Sequence, residues 1–243
     1  MPEGPSIVIL REQAAPFARR KVLTVAGNSK LDLQRMKGQR VTEFRSWGKH
    51  FLICFPRFAM RVHLLLFGSY RINERKQAVP RLSLGFTNGE LNLYACALKY
   101  IDGDLDDAYD WCGDVLSDEW NARAARRKLK AQPDTLVCDA LLDQNVFAGV
   151  GNIIKNEVLF RIRLHPETTI GALPSRKLSE LITQAREYSF DFYRWKQAFV
   201  LKKHVLAHTK KICSRCAVPL QFRAQLGRSQ RRSFFCGQCQ RLY

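Results

Sequence analysis

The sequence predicts an α+β fold of several domains, because three different patterns follow one another along the chain. Residues 22–100 contain short stretches of strand type separated by turn residues, and residues 128–203 carry apolar side chains at helical spacing. Two Cys-x2-Cys pairs then occupy the C-terminal region. Strands that precede helices, rather than alternate with them, indicate an α+β arrangement. At 243 residues the chain is long enough to bury more than one hydrophobic core.

The charge balance indicates a polyanionic partner. The chain has 40 Lys and Arg against 22 Asp and Glu, which gives a net charge of +18 and a pI near 9.9. Nucleic acid is the first candidate, because neutralising its phosphates releases counterions, and a basic membrane-surface protein is the alternative. No segment approaches the ~20 apolar residues of a membrane span. Since no secretory signal or lipidation motif is visible, the expected location is cytoplasmic, in association with a bacterial nucleoid.

The N-terminal motif Pro2-Glu3-Gly4-Pro5 is a candidate for chemistry. If Met1 is removed, Pro2 carries a free secondary amine, and an α-amino group titrates near pH ~8 against ~10.4 for lysine. A proline amine condenses with an aldehyde-level carbon to a charged iminium, which acidifies the adjacent C–H. Glu3 can deliver or take the proton that such a condensation needs. The alternative is an irregular lead-in to the helix that we predict between Ser6 and Arg20.

The next part of the chain predicts antiparallel strands. Val41–Phe44 and Phe51–Phe55 flank a turn at residues 46–49, and the alternating residues 82–86 precede Asn88-Gly89, a signal for a type I′ hairpin. Several short strands joined in this way indicate an antiparallel sandwich or barrel. A run of acidic residues between Asp102 and Glu119 then predicts a solvated linker.

The helical part of the chain begins after this acidic run. Ser117 is the expected N-cap of its first helix, with basic residues near the end of that helix to complement the dipole. Further along, one helix has a single apolar face, formed by Leu178, Leu181, Ile182, Ala185 and Tyr188.

The C-terminal cysteines predict a metal site. Cys213 and Cys216 form one Cys-x2-Cys pair, and Cys236 and Cys239 form the other, a spacing that is typical of tetrahedral zinc sites. Disulfides are the alternative, but without a secretory signal a reducing compartment is expected. Four protein ligands leave the zinc no open position, so the predicted ion is structural. The arginine-rich residues 227–233 between the pairs should form a hairpin tip that contacts DNA.

A glycine-rich turn joins two apolar helical stretches at residues 144–153. The two glycines around Val150 allow a tight turn and a close approach of backbone amides to a phosphate, and the helix that follows presents its N-terminus to the same anion. A helix-joining turn without a ligand explains the same residues, so both interpretations stay open from this motif alone.

Taken together and in order, these motifs resemble the formamidopyrimidine-DNA glycosylase and endonuclease VIII family. The resemblance covers the whole chain and rests on Pro2-Glu3-Gly4-Pro5, the hairpin Gly48-Lys49, the turn Gly149-Val150-Gly151-Asn152 and the four-cysteine finger. It implies an N-terminal antiparallel β-sandwich at residues 1–113, a helix-two-turn-helix domain at 114–205 and a β-hairpin zinc finger at 206–243.

The resemblance also implies an activity, base-excision repair by a bifunctional DNA glycosylase and AP lyase that acts by β,δ-elimination. Pro2 would form the Schiff base, Glu3 would handle protons at the sugar, and Lys49 would lie near the lesion. Asn152 would bind phosphates that flank the lesion, and Arg231 would be the arginine of the finger. The implied partner is double-stranded DNA with damaged bases or abasic sites, bound by a monomer that needs no cofactor beyond one structural zinc ion.

The preferred lesion is inferred from two further features. The apolar run before Gly68 is either a buried strand end or, by the resemblance, a wedge of Leu65, Leu66 and Phe67 that fills the stack vacated by a flipped nucleotide. Its triplet resembles the endonuclease VIII side of the family. No glycine lies between residues 171 and 227, so the glycine-rich loop that caps oxidised purines is expected to be absent. We therefore expect oxidised pyrimidines as substrates.

Two rival functions remain from the sequence. One is a glycosylase that prefers 8-oxoguanine and formamidopyrimidines, and the other is a zinc-finger protein that binds damaged DNA without cutting it. The chain departs from the family pattern at Ser6, where a glutamate is common, and at Cys138, where a lysine is common. These departures bear on lesion choice and on strand cleavage, but they leave Pro2, Glu3 and Lys49 in place.

Overall fold

The computed structural model describes residues 2–243, which divide into two compact units. The N-terminal unit comprises residues 1–110 and the C-terminal unit residues 111–243. The finer division at residues 113 and 205 stays a prediction. Among the described residues, no helix is long and apolar enough to cross a membrane.

The N-terminal unit is built around one six-stranded sheet. Every strand pair in it is antiparallel, in the order β1-β5-β6-β4-β3-β2. The helices and strands of this unit, in chain order, are α1 (Gly4–Ala14), β1 (Thr24–Ala26), β2 (Glu43–Trp47), β3 (His50–Phe55), β4 (Phe58–Ile72), β5 (Leu82–Phe86), β6 (Gly89–Asp102) and α2 (Leu105–Ala108). Two short 3-10 turns, Ala15–Phe17 and Leu33–Met36, complete the unit.

The long strands β4 and β6 join two halves of this sheet. The first half of β4 also pairs with β3, while the first half of β6 pairs with β5. The β4–β6 ladder is interrupted between Leu64 and Ser69, at the border of the two halves. The predicted α+β fold with an N-terminal antiparallel β domain is therefore confirmed.

The first helix is shorter than the predicted span from Ser6 to Arg20. It begins at Gly4 and ends at Ala14, because Pro16 has no N–H to continue the helical hydrogen bonds. Its apolar face is buried in the same core as the sheet, through Ile7, Leu10 and Ala14. The N-terminal motif is thus fixed at the start of a well-anchored helix.

The two predicted hairpins form, but one has a different turn. Gly48 and Lys49 connect β2 and β3, and Gly48 has φ 52, which is the position of glycine in a type II′ turn. In the second hairpin Phe86 pairs with Gly89, so Thr87 and Asn88 are the central residues. The predicted type I′ turn at Asn88-Gly89 is wrong, because neither Thr87 nor Asn88 adopts a positive φ and Gly89, with φ 141, already belongs to β6.

The C-terminal unit is helical, with a small hairpin near its end. Its helices and strands are α3 (Ala122–Lys130), α4 (Val137–Ala140), α5 (Asn152–Arg161), α6 (Ser175–Gln197), α7 (Leu201–His204), β7 (Gln221–Arg223) and β8 (Ser233–Phe235). The predicted apolar face of α6 is confirmed, since all five of its residues are buried in the core of this unit.

The start of the helical region differs from the prediction. Asn121, not Ser117, caps α3, and its side-chain oxygen accepts a hydrogen bond from the Ala124 N–H at 3.0 Å. Trp120, which stacks on Phe147 at 5.9 Å between ring centroids, anchors the chain directly before this cap. The predicted solvated linker is also wrong at Asp114, which is buried and accepts a hydrogen bond from the Leu116 N–H.

Candidate functional site

Pro2 and Glu3 directly precede and cap the first helix. Pro2 is partly exposed, whereas Glu3 is fully buried and has the extended backbone of an N-cap residue. The Glu3 carbonyl accepts a hydrogen bond from the Ser6 N–H at 2.8 Å. Pro2 and a carboxyl group shielded from bulk water are therefore adjacent at the start of an ordered element.

Lys49 is partly buried in the turn between β2 and β3. The two histidines next to it, His50 and His63, face each other across the β3–β4 pair, with 5.5 Å between ring centroids. The Tyr109 hydroxyl lies 3.2 Å from Nδ1 of His50, and the Trp47 ring lies 5.1 Å from that of Tyr109. We call Trp47, His50, His63 and Tyr109 the hairpin ring cluster; sequence reasoning missed it.

Burial controls the protonation of this cluster. Desolvation, with the nearby charges of Arg61, His63 and Lys49, lowers the pKa of His50 to about 4. Desolvation also lowers the pKa of His63, again with help from Lys49 and Arg61, and it raises the pKa of Tyr109 to about 12. Both imidazoles and the phenol are therefore neutral near pH 7, so Lys49 lies beside neutral rings.

The apolar triplet Leu65, Leu66 and Phe67 lies in a large bulge of β4. Residues 65–68 stand opposite Ala95 alone, because Leu64 pairs with Cys96 and Ser69 with Tyr94. The side chains of the triplet are exposed by 47% at Leu65, 52% at Leu66 and 83% at Phe67. The alternative of a buried strand end is therefore wrong.

Glycine is required at the end of this bulge. A Cβ atom on Gly68 would lie 2.8 Å from the Leu64 Cα, 2.9 Å from the Leu65 nitrogen and 3.0 Å from the Ala95 carbonyl oxygen. These are backbone atoms, which cannot move aside as a flexible side chain can. Ala95 itself adopts φ 48. The bulge is thus a tightly built feature of β4, and it presents three apolar side chains to solvent.

In the C-terminal unit, Asn152 is the first residue of α5, directly after the glycine-rich turn. Gln144 fixes that turn: its side-chain oxygen accepts from the Gly149 N–H at 3.1 Å, and its amide donates to the Val150 carbonyl at 3.1 Å. Asn152 is only 5% exposed, and its Oδ1 has no hydrogen-bond partner among residues 2–243. A buried oxygen without a partner costs about 1–3 kcal/mol of folding stability, so such an atom is typical of a functional site and not of a stabilising one.

The next turn of α5 binds the finger. Lys155, which is 1% exposed, donates to the Arg232 carbonyl at 2.9 Å and to the Ser233 hydroxyl at 2.8 Å. The Asn156 oxygen accepts from the Phe234 N–H at 3.0 Å. The fully buried Glu157 carboxylate accepts from three consecutive N–H groups, those of residues 206–208, at 2.7–2.9 Å, and from Arg161 at 2.7 Å.

Arg231 belongs to the loop between β7 and β8 and is partly exposed. Asp139 holds the other side of this loop, since its carboxylate accepts from the Arg228 N–H at 2.7 Å and from the Ser229 N–H at 2.9 Å. Gly227 has φ 67, and a Cβ there would lie 2.2 Å from Asp139 Oδ2. Contacts from α4 and α5 therefore fix both ends of the arginine loop.

The four predicted metal ligands are brought together. The sulfur atoms of Cys213, Cys216, Cys236 and Cys239 all lie within 4.8 Å of one another. The Cys213 and Cys239 sulfurs are 3.8 Å apart, and sulfurs at about 2.3 Å from a tetrahedral zinc ion would be separated by about 3.8 Å. The donor set therefore fits one metal ion with four thiolate ligands.

The two positions at which the chain departs from the family pattern lie in the cores. Ser6 is buried in α1, and Cys138 is buried in the helical core, where burial raises the pKa of its thiol to about 12. Cys138 is thus a core thiol. His204 stacks on Trp195, and His208 lies beside Asn156, so both histidines are occupied outside the four-thiol group.

The chain has known relatives that define its family. A sequence profile described as "Formamidopyrimidine-DNA glycosylase H2TH domain" matches residues 112–188, so this part of the helical unit is of the H2TH class. The chain is 32% identical to the "DNA-(apurinic or apyrimidinic site) lyase Nei2" of Mycolicibacterium smegmatis over 71% of each chain. It belongs to the formamidopyrimidine-DNA glycosylase and endonuclease VIII family.

Other relatives differ in how much of their length the chain covers. It is 30% identical to "Endonuclease 8-like 3" of Xenopus laevis, and the match covers 99% of this chain but 41% of that protein. For the mouse and bovine proteins of the same name, the match covers 36% and 37% of their length. The chain thus spans about two fifths of the length of these relatives. It is 25% identical to "Formamidopyrimidine-DNA glycosylase" of Aliivibrio fischeri over 99% of this chain and 98% of that protein.

Solved structures show the same fold. Formamidopyrimidine-DNA glycosylase of Lactococcus lactis, bound non-covalently to DNA that contains an abasic site, superposes with a TM-score of 0.85. The match covers 98% of this chain and 99% of that one at 19% sequence identity. The same bacterial protein in complex with DNA that contains an oxidised pyrimidine gives a TM-score of 0.86.

Proposed function

We propose that this chain is a base-excision DNA glycosylase with AP lyase activity that uses the amine of Pro2 as its nucleophile. The observation that carries the proposal is the position of Pro2, partly exposed and directly before the fully buried Glu3 at the start of α1. Membership of the glycosylase family and the name of the mycobacterial lyase relative support the same reaction.

The proposed reaction begins at C1′ of the damaged nucleotide. The ring nitrogen of Pro2, exposed by removal of Met1, forms a bond to C1′ while the bond from C1′ to the base breaks, and the base leaves with the proton that the Pro2 nitrogen gives up. Glu3 protonates the ring oxygen of the sugar, so the sugar opens to an iminium.

The iminium then permits strand cleavage. Its positive charge acidifies C2′–H, and loss of that proton expels the 3′-phosphate in a β-elimination. A second elimination expels the 5′-phosphate, and water hydrolyses the iminium to release Pro2. Lys49, in its turn beside neutral rings, is proposed to contact the DNA close to this centre.

Damaged or abasic duplex DNA is the proposed partner of a monomeric protein. The net charge of +18 favours phosphate binding. Asn152 at the start of α5 and Arg231 in the finger loop are the proposed phosphate contacts. The four cysteines would hold one structural zinc ion, which would fix the hairpin that carries Arg231. The Lactococcus lactis protein, which shares the fold, was solved on abasic-site DNA.

Oxidised pyrimidines are the proposed lesions. The exposed Leu65, Leu66 and Phe67 would enter the space left by a flipped nucleotide, because an apolar wedge can replace the lost base stacking. The second candidate is 8-oxoguanine or formamidopyrimidine, which the 25% identity to the Aliivibrio fischeri enzyme favours. Cleavage of duplexes with thymine glycol and with 8-oxoguanine separates these lesions.

Borohydride trapping on a duplex with an abasic site tests the central proposal. Untagged protein, with Pro2 verified as its first residue by mass spectrometry, should form a covalent adduct, because borohydride reduces the iminium to a stable amine. Pro2→Gly measures the contribution of the proline ring, and a version with a blocked terminal amine should form no adduct. If wild-type protein binds the duplex tightly without forming an adduct, the non-catalytic binding function replaces this proposal.

A further inference from the structure

The C-terminus of α6 ends in a Schellman motif with an unusual residue. The Phe199 N–H bonds to the Lys196 carbonyl at 3.2 Å, and the Val200 N–H bonds to the Trp195 carbonyl at 2.9 Å. This pair of hydrogen bonds requires a left-handed backbone at Phe199, where φ is 59. Glycine is the usual residue at this position, because it has no Cβ to clash with the backbone.

Phenylalanine is unfavourable here for two separate reasons. A bulky residue with a left-handed backbone is strained relative to glycine. In addition, the side chain of Phe199 is 96% exposed, so its ring gains nothing from the core. Among the residues the structure describes, Phe199 is the only aromatic one with a positive φ. Folding therefore does not explain why an aromatic ring occupies this position.

The surroundings of the ring are basic. Lys196, Lys202 and Lys203 are exposed, and within the described chain their side chains make no hydrogen bond or ion pair. The backbone beneath them is rigid: Trp195 stacks on His204 with 4.1 Å between ring centroids, and Arg161 donates to the His204 carbonyl at 2.9 Å. One exposed aromatic ring thus lies on an ordered backbone, with exposed lysines three residues before it and three and four residues after it.

We propose that Phe199, Lys196, Lys202 and Lys203 form a further nucleic-acid contact, in which the Phe199 ring stacks on an unpaired base and the lysines bind the adjoining phosphates. The inference rests on the proposed function, because it assumes that the chain binds DNA. An aromatic ring beside basic side chains is how proteins bind unpaired strands with little sequence preference. A membrane surface is a poorer match, since one ring offers too little apolar area for anchoring, while one ring is sufficient for one base.

Two oligomers distinguish stacking from charge. Binding of the full-length protein is measured to oligo-deoxythymidine and to an equally long tetrahydrofuran oligomer that has the phosphates but no bases. Phe199→Gly should weaken binding to oligo-deoxythymidine by about tenfold or more and leave binding to the base-free oligomer unchanged. The double variant Lys202→Gln, Lys203→Gln should weaken binding to both oligomers and reduce the salt slope by about 0.7 per charge removed.

The Phe199→Gly variant also reports on the fold. It should raise the unfolding temperature, because glycine adopts the left-handed backbone without strain, so weaker binding cannot be attributed to misfolding. Val79→Ala is the matched control, since Val79 is another exposed apolar side chain, at 67%. This control should bind both oligomers as the wild type does.

Several results would overturn the inference. Phe199→Gly could bind oligo-deoxythymidine as tightly as the wild type, or lose equal affinity for both oligomers; either outcome excludes stacking. Loss of binding to anionic vesicles with unchanged oligomer binding would assign the ring to a membrane instead. If the wild type does not bind a lesion duplex at all, the proposed function itself fails. If the wild type binds and is trapped normally, but Phe199→Gly binds oligo-deoxythymidine as the wild type does, only this inference fails.

Discussion

His50 follows Lys49 directly, yet its environment is set by residues distant in sequence. Its Nδ1 lies 3.2 Å from the hydroxyl of Tyr109, which is 59 positions further along the chain. Arg61 and His63 from β4, together with Lys49, add positive charge to the effect of burial. The histidine is therefore kept neutral in the folded protein.

This neutrality predicts a loss of stability in mild acid. The pKa of His50 falls from its ordinary 6.5 to about 4 on folding. Between these pH values the unfolded chain binds a proton that the folded protein does not, so stability is full above pH 6.5 and falls until about pH 4. The loss from this group is at most about 3.5 kcal/mol, at about 1.4 kcal/mol per pKa unit.

The measurement is the free energy of unfolding in urea across this pH range. His50→Gln should show a shallower pH dependence than the wild type, because glutamine does not titrate. Equal slopes for the two proteins would show that His50 does not control this part of the acid response.

Gly68 gives a second prediction at the scale of one residue. Gly68→Ala should destabilise the protein by about 1–3 kcal/mol, because the added methyl group would displace backbone atoms of the bulge. It should also weaken lesion binding if the bulge is the proposed wedge. Gly113→Ala is the control, since its Cβ would meet its nearest atom at 3.4 Å. Equal urea stability of the two variants would contradict the packing argument.

At the scale of elements, α5 connects the glycine-rich turn to the finger. Its first residue is Asn152, and its next turn carries Lys155, Asn156 and Glu157, whose side chains bind the backbone of residues 206–208 and 232–234. A helix with this many buried polar groups would be unstable alone, but each of these contacts satisfies a backbone group of the finger. The helix therefore fixes the position of the finger within the C-terminal unit.

Glu157→Gln tests this connection. Glu157 is fully buried and pairs with Arg161, and its carboxylate accepts hydrogen bonds from three backbone N–H groups. Loss of this buried charge should lower the free energy of unfolding by about 3–5 kcal/mol. Glu180→Gln is the matched control: Glu180 pairs with Lys177 on a helix but is 45% exposed, so its loss should cost less than about 1 kcal/mol. Similar urea midpoints for both variants would argue against a structural role for α5 in holding the finger.

At the scale of the whole molecule, the four-cysteine group and the sheet belong to different compact units. The four cysteines lie in residues 111–243, whereas the six-stranded sheet lies in residues 1–110. Each unit has its own hydrophobic core. Removal of a structural ion should therefore affect the two units unequally.

Chelation of zinc should unfold the finger and abolish DNA binding, while the sheet stays folded. Amide hydrogen exchange measures this directly: protection should be lost at residues 206–243 and kept in β3, β4 and β6. Added zinc should restore both protection and binding. Loss of protection throughout the chain on chelation would show that the two units are not independently stable.

The sequence by itself determined the features that depend on local spacing. Cysteine spacing indicated the four-thiol group, apolar periodicity gave the buried face of α6, and strand patterns gave the antiparallel hairpins. Local signals were wrong where nearby residues can serve the same role. Asn121, not Ser117, caps α3, and Thr87-Asn88, not Asn88-Gly89, forms the hairpin turn. In both cases a shift of one to a few residues is decided by packing and strand register.

Only the tertiary structure decided which side chains meet from distant parts of the chain. Tyr109 reaches His50, Lys155 reaches Ser233 across 78 positions, and Asp139 reaches Ser229 across 90. The exposure of Leu65–Phe67 likewise depends on how β4 pairs with β6, since the same apolar run fits a buried strand. Spacing along the chain encodes local conformation, whereas these contacts and exposures arise only when separate elements pack against one another.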